Sequence, residues 1–253
     1  MSKVWRRENY TVGGGPGVIA LIVLAPERLP DPLPISRTQH GIPTDTEHTD
    51  VELVARGRTD DPAWFEQEVV GPFADLIATD LGPDVAATAL ASEHVYIITG
   101  EVDDPEDLGH IQTAWAIAKC ICELGGTLVI DVYAARAHLG VEIAALAPDR
   151  AFDLMHEITL FFDEDDHDTL SAWSLGLVKF GRPEIVLVDV PPDQATETAL
   201  IMRDIANTLA VGERVEPGDG LGLPDGSRLV ASQWDPATSP IVSVEGAALL
   251  LSR

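Results

Sequence analysis

The sequence predicts an α+β fold, a mixed sheet with helices packed on it around a central β-α-β unit. Three observations carry that expectation. His94–Val102 alternates, a long helix pattern follows, and Thr127–Tyr133 reads as a second strand, which is the order of a β-α-β unit. Val18–Leu24 is an unbroken aliphatic and β-branched run, as in a strand covered on both faces. Glu184–Val190 reads as a further strand, handed by Pro191-Pro192 to a helix that repeats Ala195, Ala199, Met202, Ile205, Ala206 and Leu209 on one side. The reading is a single domain over residues 1–253, divisible at most into an N-terminal region 1–92 and a sheet-and-helix core 93–253.

Taken in order, Lys3–Val12 reads as an edge strand with Trp5 and Tyr10 as its large residues. Gly13–Gly17 turns the chain into the Val18–Leu24 strand. Pro26–Asp50 carries five prolines and no periodicity, so it reads as a long irregular excursion of the kind that is often functional or mobile. Val51–Arg56 is a short strand. Asp60-Asp61-Pro62 opens a helix that is broken near Gly71-Pro72, resumes to Leu81, and is followed by a third helix over Asp84–Leu90.

After the His94–Val102 strand, Asp103 or Asp104 is the expected helix cap, with Pro105, Glu106 and Asp107 in the first turn, where the helix dipole favours acids. That helix stops at Gly125-Gly126. Val141–Ala147 fits helix or loop. His156–Phe162 reads as a strand ending in the acidic loop Asp163–Asp168, and Leu170–Phe180 fits strand or helix. Beyond Gly212 the chain is turn-rich, with strands expected at Arg228–Ser232 and Val242–Leu251.

Charge is the unusual feature of the composition. Sixteen basic against 42 acidic residues give a net charge of −26, with no Lys or Arg between Arg58 and Lys119. Nucleic-acid affinity comes largely from Lys and Arg displacing counterions, so nucleic acid and anionic membranes are excluded as partners. Two meanings of the acidity remain open: solubility in a salty cytoplasm, or a face for a basic protein partner. Thirteen arginines against three lysines and abundant alanine point to a GC-rich bacterial genome. The apolar run at Val18–Ala25 is too short to span a bilayer and lacks the order of a leader, so a cytoplasmic location is expected. Cys120 and Cys122 are two apart, about 200° around a helix, and read as small apolar residues rather than a redox pair.

The stretch Ala172-Trp173-Ser174-Leu175-Gly176-Leu177-Val178-Lys179-Phe180-Gly181-Arg182-Pro183-Glu184-Ile185 resembles the C-terminal signature of a bacterial family known as a domain of unknown function. The signature places Gly176, Lys179, Phe180, Gly181, Pro183 and Glu184 before a strand, a Val-Pro step and a long helix, here Val186–Val190, Pro191 and Gln194–Ala210. Glu123-Leu124-Gly125-Gly126 and the Val129-Ile130-Asp131 strand are similar to the family as well. The resemblance spans residues 94–215. It implies an α+β fold and carries no activity.

No nucleophile elbow, metalloprotease motif or zinc cysteine set is present. Gly13–Gly17 precedes a strand and lacks a lysine, so it reads as a turn rather than a phosphate loop. Gly218, Gly220, Gly222 and Gly226 read as hairpin turns, and the 163–168 loop lacks the spaced ligands and glycine turn of a calcium site. His138 and Glu142 would share a face of a helix, near Asp131 at a strand end; these three are the candidates for a metal or general base. His110 reads as a surface position. Trp64, Trp115 and Trp173 read as core, Trp5 and Trp234 as anchors of a partner surface. No cofactor is expected. The reading favoured is a non-enzymatic, acidic, immunity-protein-like domain that uses its charge and the Pro26–Asp50 segment to meet a basic protein. The alternatives are an enzyme or ligand binder built on Asp131, His138 and Glu142, and a self-assembling component paired through Gly246–Leu251, which leaves a homo-oligomer open.

Overall fold

The computed structural model describes residues 2–164, 168–223, 226–238, 244 and 246–252. The fold is α+β, and the chain divides into two compact units. The first comprises Met1–Trp5, Val18–Val102 and Asp107–Phe152; the second comprises Arg6–Gly17, Asp103–Glu106 and Asp153–Arg253.

The first unit contains β1 (Pro16–Ala25), α1 (Arg37–His40), β2 (Glu52–Gly57), α2 (Pro62–Phe65), α3 (Gly71–Leu81), α4 (Pro83–Leu90), β3 (His94–Asp103), α5 (Gly109–Glu123), β4 (Leu128–Asp131), β5 (Arg136–Leu139) and α6 (Gly140–Ala144). Its sheet has the order β2-β3-β1-β4-β5. The expected β-α-β unit is β3-α5-β4, and β1 is inserted between its two strands. That position explains the unbroken apolar run: Ile22 and Leu24 join the core beneath α2, α3 and α4, while Val23 lies against α5 near Ile121.

Helix α5 is buried on every side from Gly109 to Cys122, His110 included, contrary to the surface position expected for that histidine. The irregular 26–50 segment helps to cover it. Gln39 and His40 bond Glu123 at its end, and a Cβ on Gly109 would meet the His48 carbonyl at 2.7 Å. The segment therefore serves the first unit's own core.

Several local expectations are corrected. Lys3–Val12 forms no strand; within the first unit Trp5 accepts from Leu108 N, and within the second Asn9 N and Thr11 N donate to Val211 and Gly212. The helix does not break at Gly71-Pro72. A π-turn over Glu66–Val70 leads straight into α3, whose second residue is Pro72. Helix α5 begins at Gly109, not at Asp103 or Asp104, because Asp104 takes a left-handed φ of 36° and spends its carboxylate elsewhere.

The second unit contains α7 (Leu154–Glu157), β6 (Thr159–Glu164), β7 (Leu170–Leu175), a 3-10 turn at Leu177–Phe180, β8 (Glu184–Val190), α8 (Ala195–Ala210), β9 (Gly220–Gly222), β10 (Arg228–Gln233) and β11 (Ala248–Ser252). The order is β6-β7-β8-β11-β10-β9, with β8 and β11 parallel and the other neighbours antiparallel, so the sheet is mixed. Helix α8 packs across β6, β7 and β8. Gly220 and Gly222 belong to a strand rather than a turn. Residues 165–167 of the acidic loop, and 242, 243 and 245 of the expected last strand, lie outside the described residues.

Candidate functional site

The three residues singled out from the sequence are not set up as a metal or acid–base site. His138 lies in β5 and Glu142 in α6, so they share no helix face. Glu142 is exposed, and the His138 ring packs edge-on against Trp115 with centroids 5.5 Å apart. Asp131 is fully buried at the end of β4, where its Oδ1 accepts from Ala134 N at 3.1 Å and closes the β4–β5 turn. Among the described residues no group of three or more His, Cys, Asp or Glu is placed to hold a metal ion.

The signature residues do gather, around the 3-10 turn. Gly176 has φ 115°, and a Cβ there would meet the Glu157 carbonyl at 2.4 Å. The buried Glu184 carboxylate caps the turn, accepting from Gly176 N at 2.8 Å, Val178 N at 3.2 Å and Ser174 Oγ at 2.5 Å. Burial pushes the Glu184 carboxyl up to about 7, against these donors, which favour the charged form. Lys179 and Glu157, both wholly withdrawn from solvent, pair at 2.9 Å. Phe180 is buried, and Gly181 (φ 63°) approaches the Gly15 carbonyl so closely that a Cβ would lie 2.2 Å from it. Every one of these contacts holds the turn in place.

Beside the turn lies a network that sequence reasoning missed. Asp104 Oδ2 accepts from Gly13 N at 2.7 Å and Tyr10 Oη at 2.9 Å, and its Oδ1 meets Arg182 Nη1 at 3.3 Å. Burial alone would raise the Asp104 carboxyl, but the Gly13, Tyr10 and Arg182 donors outweigh it and hold it below its ordinary value. Arg182 also donates to the carbonyls of Thr11, Gly212 and Glu213. Arg7 binds those of Pro105, Leu209 and Ala210, and burial, with the Arg182 charge nearby, brings it down to about 10. The glycine run thus cradles an anion after all, one supplied by the chain itself. A glycine run and one of the chain's three Asp-Asp pairs were the only signals available.

In the first unit, Glu123 collects Lys119 Nζ at 2.8 Å, Gln39 Nε2 at 2.9 Å and His40 Nε2 at 3.2 Å. These partners outweigh its burial and lower its carboxyl. Lys119, His40, Trp5 and Arg150 border a cavity of about 20 Å³, room for one water. Cys120 and Cys122 are buried and free, and burial pushes the Cys122 thiol up to about 12, so neither supplies a thiolate. Trp5 and Trp234, expected as exposed anchors, are both buried.

The second unit has open clefts of about 550 Å³ beside α8 and β9 and about 400 Å³ beside β8 and α8. The first unit has one of about 500 Å³, at the start of β2 and the end of β3. Asp50, Glu52 and Glu101 line it with Val18, Ile19 and Tyr133, and no Lys or Arg is among its lining residues. Thr99 pairs with Glu52 across the two strands, which sets the acidic walls on adjoining strands. No helix among the described residues is long and apolar enough to cross a membrane. No family model, curated protein or solved structure matches the chain.

Proposed function

We propose that the protein is a non-enzymatic acidic interaction module that binds a basic protein partner. The observation that supports this reading is the cleft walled by Asp50, Glu52 and Glu101 with no basic residue in its lining, on a chain of net charge −26. A cleft of one sign between low-dielectric walls focuses the field of the whole protein and raises the encounter rate with an oppositely charged surface. An Arg or Lys from the partner entering the cleft would meet carboxylates from two strands, together with the hydroxyl-bearing side chains of Thr99 and Tyr133.

The test takes a basic protein recovered from the host by salt elution and measures its affinity by calorimetry at 50 and 300 mM NaCl. The expected result is an affinity that falls with salt, and at least tenfold weaker binding by the Asp50→Asn/Glu101→Gln variant. An affinity that ignores both salt and the substitutions overturns the reading.

A further inference from the structure

We propose that two copies of the protein pair antiparallel through the outer edge of β2, in the register that sets Val54 opposite the partner subunit's Val54. Strand β2 ends the sheet of the first unit, and its one neighbour there is β3. Edge strands that avoid association are blunted by charge, lysine above all, by proline or by a bulge. β2 has no lysine, proline or bulge, since Glu52 to Gly57 run in unbroken register against Thr99 to His94, and its two charges are of opposite sign. Five of its six residues are exposed, and Leu53 and Val54, at 37% and 44% exposure, are among the few large apolar side chains left in water.

The charges choose the occupant. The strand carries an acid, Glu52, at its start and a base, Arg56, near its end. Alternation puts residues 52, 54 and 56 on one face. Folded back on itself about Val54, the strand sets Glu52 opposite the partner's Arg56 and its own Arg56 opposite the partner's Glu52. Directly opposed unlike charges stabilise a sheet pair. A slide of two residues either way breaks both pairings, and an in-register parallel arrangement sets acid beside acid and base beside base. Neither Glu52 nor Arg56 makes an ion pair among the described residues; Arg56 lies over the Trp64 ring at 4.3 Å.

Net charge opposes the pairing and gives it a signature. Two copies at −26 repel through space, but at 0.15 M salt the screening length is about 8 Å, so distant repulsion fades while charge pairs in contact persist. Self-association should therefore strengthen between 10 and 150 mM NaCl, the reverse of the basic-partner interaction. The pairing does not rest on that interaction: both draw on Glu52, but Arg56→Glu removes the pairing and leaves the cleft carboxylates in place.

Sedimentation equilibrium of the full chain from 1 to 200 μM in 150 mM NaCl tests it. The expected result is a mass rising from 27.1 kDa towards twice that value, an association constant at least tenfold weaker in Glu52→Arg and in Arg56→Glu, and recovery in the double charge swap. Circular dichroism verifies that these exposed substitutions leave the fold intact. A wild type that stays monomeric throughout, single reversals that change nothing, or a double swap that fails to recover overturns the proposal.

Discussion

Lys179 and Glu157 sit 2.9 Å apart with no solvent contact, and such a pair is held less by its net worth than by the cost of breaking it. Lys179→Met leaves the Glu157 carboxylate buried beside His156 and should destabilise the protein by about 3–5 kcal/mol in denaturant titration. Lys179→Met/Glu157→Met should recover much of that loss, because no lone charge is then buried. Glu184 makes a different prediction. Its carboxyl is raised from 4.5 in the open chain to about 7 when folded, so the native state binds the extra proton between those values. The contribution is fully present below pH 4.5 and is lost as pH rises through 7. The stability difference between wild type and Glu184→Gln should therefore move in favour of wild type as pH falls from 7.5 to 5. A difference that stays flat with pH would show that the N–H and hydroxyl donors keep Glu184 ionised.

At the scale of the element, Gly14 and Gly15 are neighbours with opposite expectations. A Cβ on Gly14 would lie 1.8 Å from Arg182 Nη1, 2.5 Å from Asp104 Oδ1 and 2.9 Å from the Gly181 carbonyl; one on Gly15 meets nothing nearer than 4.0 Å. Gly14→Ala must displace the Asp104–Arg182 pair and should cost about 2 kcal/mol or more, while Gly15→Ala should stay within about 0.5 kcal/mol, both read from urea midpoints. This contrast could not be seen in the sequence, where the run is five small residues at a turn. The strands and helices whose apolar period is complete, β1, β3, α5, β4, β8 and α8, were legible because burial of one or both faces dictates their pattern. The order β3-β1-β4 was not, since nothing local says which strand fills the gap between two others. Nor was the start of α5: Asp103 and Asp104 look like caps, but the Asp104 carboxylate is worth more to Gly13, Tyr10 and Arg182. The signature around Gly176–Glu184 was visible as a pattern, and its contacts are those of a turn under close packing. The Asp131, His138 and Glu142 grouping failed because its geometry assumed a helix where β5 runs.

For the whole molecule, the acidity is a property of the surface. Among the described residues Arg7, Lys119, Lys179 and Arg182 are buried, and so are Asp107, Asp131, Glu157 and Glu184, so these interior groups absorb none of the excess negative charge. Like charge spread over a compact surface works against the folded state, because unfolding moves the carboxylates apart. Salt should relieve that strain: from 10 to 500 mM the screening length falls from about 30 Å to about 4 Å. If the relief is worth about 2 kcal/mol, the midpoint of thermal unfolding should rise by roughly 4–8 °C over that range. Sodium chloride and potassium chloride should act alike at equal ionic strength, since screening depends on charge and not on ion identity. Sulfate should add a further rise of its own through exclusion from the surface. A midpoint indifferent to chloride would mean that the carboxylates are spaced widely enough to be solvated one by one. The −26 would then give the cleft no field to focus, and binding there would have to rest on Asp50, Glu52 and Glu101 alone.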